Sequence, residues 1–285
     1  MKIERGTAAY ISGGGSGIGR GMALAFARRG VRVGVADIRE ADAAATVDII
    51  RQNGGEAIAI GADVSDRASV EAAADAIESA FGPASIICNN AGIAMHGVPI
   101  HEISPDDWDW AIGVNIYGVI HGLQVFVPRL LDGGRPGHVV NTASIGGFQV
   151  NPNFLTAAYS MTKYAVVALS EGLRNEMEGR PIGVSVLAPA AVDTGIHLSE
   201  RARPDRFGGA TVRPQNHFMG DLIKDGADPA TIGERVARAV EDDEFYVFTH
   251  PETRYWLERR HAEILDAFDR AARSEGIEDA SQAAE

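Results

Sequence analysis

The sequence has little cysteine, a shortage of positive charge and, at its N-terminus, no long apolar run. Its one cysteine, Cys88, excludes an intrachain disulfide, and its apolar neighbours predict that it fills the core. The N-terminus leads directly into a strand-like run, without the apolar stretch of a signal peptide or membrane span, which favours a cytoplasmic protein. The net charge of −13 disfavours nucleic acid and anionic membranes as partners. Small molecules are therefore the expected partners.

Metal-binding patterns are also missing. None of the eight histidines forms a recognisable metal pair. His96 and His101 are five residues apart and lack a third ligand at suitable spacing. We therefore expect no metal site.

Short apolar runs alternate with amphipathic, helix-like stretches along most of the chain. Because the apolar character within each run is continuous, these runs predict strands that are covered on both faces. The expected fold is α/β: a doubly wound Rossmann-type domain with a seven-stranded, mainly parallel sheet and helices on both faces. The predicted strands are 8–12, 32–36, 56–62, 85–88, 138–142, 183–188 and 244–249.

No linker or fixed-period repeat interrupts this alternation, which predicts a single domain over residues 1–275. Residues 195–227 break the rhythm with glycines, prolines and four arginines, as expected of a substrate loop or lid. The small, polar residues 276–285 predict a disordered tail.

A glycine-rich turn follows the first predicted strand, at Gly13, Gly17 and Gly19. Glycines let the backbone approach a pyrophosphate, and the following helix offers unpaired N–H groups and the positive end of its dipole. The spacing differs from the usual Rossmann Gly-x-Gly-x-x-Gly, so the motif alone is equally consistent with a structural turn. Its position between a strand and a helix favours a dinucleotide site.

The second predicted strand runs into Asp37. A carboxylate at this place accepts hydrogen bonds from the adenosine ribose and repels a 2′-phosphate. Taken alone, an aspartate such as Asp37 would more commonly be a solvated strand end or a helix cap. Its position predicts NAD as the cofactor, with NADP disfavoured, although Arg39 is close enough in sequence to weaken the exclusion.

Tyr159 and Lys163 are four residues apart in a predicted helix, which places both side chains on one face. A free tyrosine has a pKa of about 10, and a nearby ammonium would lower that pKa towards the working pH. Alone, such a pair is more often a buried tyrosine beside a lysine that reaches solvent. Ser144 follows the fifth predicted strand, at the sheet edge where open α/β sheets bind ligands.

These motifs together resemble the short-chain dehydrogenase/reductase family over nearly the whole chain. Residues 12–19 are similar to the family's Thr-Gly-x-x-x-Gly-Ile-Gly turn, with Ser12 in place of threonine. Residues 89–92 are similar to its Asn-Asn-Ala-Gly motif, and residues 189–194 to its Pro-Gly-x-x-x-Thr segment, with Ala190 in place of glycine.

The resemblance implies a catalytic tetrad of Asn115, Ser144, Tyr159 and Lys163. In this family the tyrosine exchanges a proton with the substrate oxygen, which the serine orients. The lysine lowers the tyrosine pKa and holds the nicotinamide ribose, and the asparagine supports a water that joins a proton relay. The cofactor-binding residues implied by the motifs are Gly13, Ser16, Gly17, Ile18, Gly19, Asp37, Asp63, Val64, Asn90, Ala91, Gly92, Tyr159, Lys163, Pro189, Val192 and Thr194.

Several apolar residues near the expected nicotinamide predict a bulky hydrophobic or aromatic substrate, although any one of them could instead hold a loop in place. The predicted substrate contacts are Ser144, Phe148, Phe154 and Ile196, and the wider set of candidate pocket residues adds Met95, His96, Ile145, Val150, Leu198, Phe207, Phe218 and Met219. The loop arginines Arg201, Arg203, Arg206 and Arg213 could bind an anion, but such residues are usually solvated or paired. Residues 201–208 and 245–252 resemble bacterial aryl-ether Cα-dehydrogenases.

The predicted function is NAD-dependent interconversion of a secondary alcohol and a ketone. Two alternatives are a redox-inactive dinucleotide-binding sensor and an epimerase or dehydratase of the same family. Sensors of that kind typically lack the tyrosine or the lysine, and this chain has both. The resemblance also implies a homodimer or homotetramer, formed through helices at residues 108–131 and 159–177.

Overall fold

The computed structural model of the protein describes residues 1–212 and 220–275. Most of the predicted lid, residues 195–227, is described. Arg213, Phe218 and Met219, and the predicted tail at 276–285, lie outside the described residues.

Seven strands form one sheet in the order β3-β2-β1-β4-β5-β6-β7, and each neighbouring pair is parallel. The order reverses between β1 and β4, which makes this the topological switch point where such sheets bind ligands. The predicted Rossmann-type fold is therefore confirmed. The strands are β1 (Ala8–Ser12), β2 (Arg32–Asp37), β3 (Ala57–Gly61), β4 (Ala84–Asn89), β5 (Gly137–Thr142), β6 (Ile182–Ala188) and β7 (Tyr246–Phe248).

Helices connect the strands and cover both faces of the sheet. A π-helical turn, Gly113–Tyr117, joins two of them, and π-helical turns are frequent at functional sites. The helices are α1 (Gly17–Arg28), α2 (Glu40–Gln52), α3 (Arg67–Phe81), α4 (Pro105–Ile112), α5 (Gly118–Gly133), α6 (Ala157–Glu176), α7 (Pro229–Asp242) and α8 (Arg254–Glu275).

The core consists of two main apolar layers, one on each face of the sheet. Tyr10 and Trp110 belong to one layer, while Ile11 and Phe26 belong to the other. Neighbouring residues of β1 therefore point to opposite faces and are both buried, which explains why the strand is continuously apolar in sequence. Cys88 is buried and free, in agreement with its predicted role in the core.

The chain divides into two compact units, Met1–Thr249 and His250–Glu285. The first contains the whole sheet and α1 to α7. The described part of the second consists of a 3-10 turn, Pro251–Thr253, and α8. The predicted limit of a single domain at residue 275 stays a prediction.

One helical stretch of the described chain, Pro105–Gly133, is long and apolar enough to cross a membrane by length and composition, and half of it is buried inside the protein. Buried core helices of soluble proteins have the same property. The predicted cytoplasmic location stays a prediction.

Candidate active site

The glycine turn between β1 and α1 is built so that side chains would obstruct it. Gly13 and Gly17 have φ angles of +63° and +50°, which L-residues rarely adopt. A Cβ on Gly13 would lie 2.9 Å from the Ala91 Cα, and one on Gly19 would overlap the Gly13 carbonyl oxygen. The turn therefore packs closely against the loop after β4, and it leads into the N-terminus of α1, where backbone N–H groups can bind phosphates.

Ser12 joins the glycine turn to the loop that follows β4. Its hydroxyl accepts hydrogen bonds from the backbone N–H groups of Asn90 (2.9 Å) and Ala91 (3.1 Å) and donates one to the Cys88 carbonyl (3.2 Å). The Asn90 amide also donates to the Ser12 carbonyl (3.0 Å). Serine in place of the family's threonine thus still fixes the two loops together at the switch point.

Asp37 lies at the end of β2 with both carboxylate oxygens engaged. Oδ2 accepts a hydrogen bond from the Gly15 N–H (3.0 Å) and Oδ1 accepts one from the Arg39 N–H (3.0 Å). Burial raises the pKa of Asp37 above its usual range, and these two donors oppose that effect. The side chain is thereby held at one wall of the cleft.

The switch-point cleft, which encloses about 190 Å³, brings together most of the predicted cofactor-binding residues. Tyr159, Lys163, Gly19, Pro189 and Val192 are placed outside its lining, and Gly19 and Val192 are buried. The predicted residues that line the cleft are Gly13, Ser16, Gly17, Ile18, Asp37, Asp63, Val64, Asn90, Ala91, Gly92 and Thr194.

Lys163 is positioned by the end of β5. The ammonium is buried and donates a hydrogen bond to the Thr142 carbonyl (3.0 Å). Its Nζ lies 5.6 Å from the centre of the Tyr159 ring, so the predicted pair does share one face of α6. Burial lowers the pKa of Lys163 to about 8, which leaves the group mainly charged at neutral pH.

Asn115 lies in the π-helical turn between α4 and α5 and is almost completely buried. Its amide donates to the Ile93 carbonyl (3.1 Å) and to the Thr162 hydroxyl (3.0 Å), while its oxygen accepts from the Ile93 N–H (2.8 Å). Asn115 therefore ties the loop after β4 to α6, beside Lys163.

Tyr159 and Ser144 are hydrogen-bonded to each other, which works to lower the tyrosine pKa. Burial has the larger effect and raises the pKa of Tyr159 to about 12. The predicted net lowering by Lys163 is therefore not seen in this structure. The Pro189 carbonyl orients the serine loop, because it accepts from the Ser144 hydroxyl (3.4 Å) and from the Ile145 N–H (2.9 Å).

The predicted substrate contacts fall into different surroundings. Ile196 lines the cleft, at the start of a 3-10 helix, Gly195–Ala202, which Thr194 caps. Phe148 packs against the β7 rings of Tyr246 and Phe248, with ring centres 6.0 and 5.1 Å apart. The direct contacts of Phe148 and Phe154 with substrate stay predictions.

His96 lies against Tyr159, with ring centres 4.8 Å apart. Burial lowers the pKa of His96 to about 4, so its imidazole is neutral at pH 7. Its Nδ1 is buried and has no hydrogen-bond partner within residues 1–212 and 220–275. This places an uncharged polar group at the predicted reaction centre.

Three of the four arginines in the predicted lid form ion pairs with carboxylates of the first unit. Arg203 donates to Asp107 (2.6 Å) and lies 4.9 Å from the Trp110 ring centre. The other two pairs are Arg206 with Asp63 (2.6 Å) and Arg201 with Asp42 (4.0 Å). The expectation that these arginines pair with neighbours is thus confirmed for the described three.

Sequence reasoning missed several residues of the cleft. Asp42, Trp110 and Ser199 line it, and no motif indicated them. Thr142 and Thr162, which hold Lys163 and Asn115, were also missed. For Thr142, a usable signal was its place at the carboxyl end of the same strand that leads to Ser144. Trp110 packs against Arg203, which is remote in the chain, and such a contact leaves no local pattern.

In residues 1–212 and 220–275, no group of three or more histidine, cysteine, aspartate or glutamate side chains could hold a metal ion.

Comparisons with known proteins agree with this geometry. The model of the short chain dehydrogenase family matches residues 7–205. The C alpha-dehydrogenase of Sphingobium sp. (strain NBRC 103272 / SYK-6) is 37% identical over 271 residues, which cover 94% of this chain and 88% of that protein. The 1-deoxy-11-beta-hydroxypentalenate dehydrogenase of Streptomyces avermitilis is 34% identical, over 88% of this chain and 86% of that protein.

Among solved structures, a short chain dehydrogenase/reductase from Burkholderia phymatum in complex with NAD has a TM-score of 0.88 and 36% identity. The match covers 93% of this chain and 96% of that one. The sequence motifs, the all-parallel sheet and these relatives lead to one assignment. The chain belongs to the short-chain dehydrogenase family, as an alcohol dehydrogenase or ketone reductase that uses a nicotinamide dinucleotide.

Proposed function

We propose that this protein is an NAD-preferring dehydrogenase that interconverts a bulky hydrophobic or aromatic secondary alcohol and its ketone. The observation that carries the proposal is the position of Tyr159, which is hydrogen-bonded to Ser144 and has the Lys163 ammonium 5.6 Å from its ring centre. A hydroxyl, a phenol and an ammonium that lie close together are suited to exchange a proton with an alcohol oxygen.

In the proposed mechanism, Tyr159 takes the hydroxyl proton during alcohol oxidation and returns it during ketone reduction. The Ser144 hydroxyl orients the substrate oxygen. Lys163 stabilises the phenolate electrostatically, and the Thr142 carbonyl holds that ammonium in place. A bound nicotinamide dinucleotide supplies the hydride chemistry.

The glycine turn and Asp37 are the residues proposed to hold the cofactor. The turn is proposed to hold the pyrophosphate, because it lies at the N-terminus of α1 and its residues Gly13, Gly17 and Ile18 line the cleft. The Asp37 carboxylate, fixed by two backbone N–H groups, favours a ribose with a free 2′-hydroxyl. NAD complexed with the Burkholderia phymatum protein supports the same class of cofactor.

The substrate proposal draws on both the cleft and the relatives. Ile196 brings an apolar side chain to the cleft, and the similar Sphingobium protein is a C alpha-dehydrogenase. The test is a panel of aryl and alicyclic secondary alcohols incubated with NAD, with NADH formation followed by absorbance. Oxidation of small linear alcohols alone would contradict the proposed substrate class.

The first prediction is that Tyr159→Phe lowers kcat by about a hundredfold or more, since only proton transfer is removed. NADH affinity, measured by fluorescence titration, is expected to change little. Tyr255→Phe is the matched control, because Tyr255 is exposed on α8 and lies outside the cleft lining. Retained turnover in the Tyr159 variant would exclude the proposed acid–base role.

We also propose a homodimer or homotetramer. An apolar groove along α5 and α6 is lined by side chains that include Ile120, Leu123, Val127, Ala168 and Leu169. Burial of such a surface between copies is the usual reason for its composition. Light scattering is expected to give two or four times the 30.2 kDa chain mass, and Ala168→Glu is expected to lower it. A monomeric wild type would contradict this.

A further inference from the structure

Two arginines meet one aspartate at the adenosine end of the cleft. Asp42 lies in the first turn of α2, and its Oδ2 is 3.1 Å from Arg39 Nε and 4.0 Å from Arg201 Nη2. Asp42, Arg39, Arg201 and Asp37 all line the same cleft. Arg39 belongs to the turn between β2 and α2, whereas Arg201 belongs to the 3-10 helix Gly195–Ala202. The Asp42 carboxylate therefore joins two separate segments.

Asp42 is also close to the residue proposed to select the cofactor. A Cβ built on Gly15 would lie 2.7 Å from Asp37 Oδ2 and 2.8 Å from Asp42 Cβ, so the two acidic side chains flank the same glycine. Arg39 and Arg201, two arginines in the cleft lining, are thus both paired with an acid that lies beside Asp37. Both arginine side chains are nearly half exposed and are free to turn if released.

We infer that Asp42 is a second residue that determines cofactor specificity. Its carboxylate forms ion pairs with Arg39 and Arg201, and these pairs keep both arginines from binding a 2′-phosphate. This inference rests on the proposed NAD preference. A 2′-phosphate needs cationic partners, and arginine is the side chain best suited to bind it. Asp37 repels the phosphate. Asp42 pairs with the two arginines whose positive charges could otherwise compensate for that repulsion.

A simpler role for Asp42 would be stabilisation of the α2 N-terminus, where negative side chains are favourable. Glu40 allows the two roles to be separated. It lies in the same first turn of α2 and is exposed, but it is not part of the cleft lining. Glu40→Gln removes the same charge from the same helix end, so it is the matched control for Asp42→Asn.

The experiment is fluorescence titration of the full chain with NADH and with NADPH. For Asp42→Asn we expect NADPH affinity to rise about fivefold, the scale of one or two exposed ion pairs. Retained NADH binding in the same titration shows that the variant is folded, and the ratio of NADPH to NADH affinity is compared with that of the wild-type chain. Glu40→Gln is expected to change neither affinity by more than about twofold.

A triple variant, Asp42→Asn with Arg39→Gln and Arg201→Gln, tests whether the two arginines cause the gain in NADPH affinity. Loss of the NADPH gain in this variant supports the role of the arginines. A gain that persists without them, or that Glu40→Gln reproduces, overturns the inference. Failure of the proposed function is recognised separately, because it appears as equal NADH and NADPH affinities in the wild-type chain.

Discussion

At the scale of single residues, Lys163 shows why a spacing alone is weak support for a site. Tyrosine and lysine four residues apart share a helix face in any helix, and the common outcome is a lysine that reaches solvent. Here the ammonium is buried, and its hydrogen bond goes to the Thr142 carbonyl at the end of β5. The sequence predicted the pair, but it could not show which backbone group holds the charge.

The buried ammonium predicts a pH dependence of cofactor binding. Because burial lowers the pKa of Lys163 to about 8, the charged fraction falls from about nine-tenths at pH 7 to about one-tenth at pH 9. If Lys163 holds the nicotinamide ribose, NADH affinity should therefore weaken as the pH rises through this range. Fluorescence titrations at pH 7, 8 and 9 measure the effect.

Two variants separate the Lys163 effect from others. Lys163→Met should bind NADH more weakly and show the same affinity at all three pH values. Lys224→Met is the control, because Lys224 is exposed and paired with Asp221, and it should retain the wild-type dependence. An unchanged wild-type affinity between pH 7 and 9 would show that the ammonium does not contribute to binding.

At the scale of secondary-structure elements, the strands were predictable and the lid contacts were not. The central strand β1 is buried along its whole length, so its residues form an almost continuous apolar run that is visible in the sequence. The π-helical turn Gly113–Tyr117 and the 3-10 helix Gly195–Ala202 depend instead on contacts from other segments. Asp107 and Arg203 are 96 residues apart in the chain, and no local pattern relates them.

Arg203 is expected to be the main anchor of the described part of the lid. Its pair with Asp107 is nearly inaccessible to solvent, with 6% and 12% of the two side chains exposed. Removal of one partner of a buried pair costs about 3–5 kcal/mol. Arg203→Met should therefore lower the free energy of unfolding by that order. It should also weaken NADH binding, because Arg203 packs on Trp110, which lines the cleft.

Urea denaturation and NADH titration of the same samples measure both effects. The control is Arg67→Met, which removes an exposed ion pair with Glu71 on α3. That change should cost less than about 1 kcal/mol and leave NADH affinity unaltered. Equal losses of stability in the two variants would show that the Arg203 pair has no special role in holding the lid.

At the scale of the whole molecule, the sheet order places the glycine turn, Asp37 and the β4 and β5 loops at one edge. Motif order along the chain predicted this arrangement, because parallel strands all end at the same side of the sheet. The sequence did not predict the burial of the histidines. His138 is completely buried within β5, where its Nε2 pairs with the Ser185 hydroxyl (2.8 Å). Nothing in the sequence around it indicated that an imidazole would be held there without charge.

These histidines predict a loss of stability in acid. Burial lowers the pKa of both His96 and His138 to about 4, whereas a free histidine titrates near 6.5. Between these values the unfolded chain binds more protons than the folded chain, so the free energy of unfolding decreases as the pH falls. The loss by pH 5 is about 2 kcal/mol for each imidazole.

The prediction for His138 is tested by urea denaturation at pH 7 and pH 5. His138→Asn is expected to be less stable than wild type at pH 7, because the new side chain fills the site less well. It should nevertheless lose about 2 kcal/mol less than wild type between the two pH values, since one titrating group is gone. His101→Asn, at a largely exposed side chain, should keep the full wild-type difference. If His138→Asn and wild type lose the same stability from pH 7 to pH 5, His138 binds a proton as readily in the folded chain as in the unfolded chain, which would contradict the prediction. The group that could offset burial in this way is the Asp243 carboxylate, 3.5 Å from His138 Nδ1.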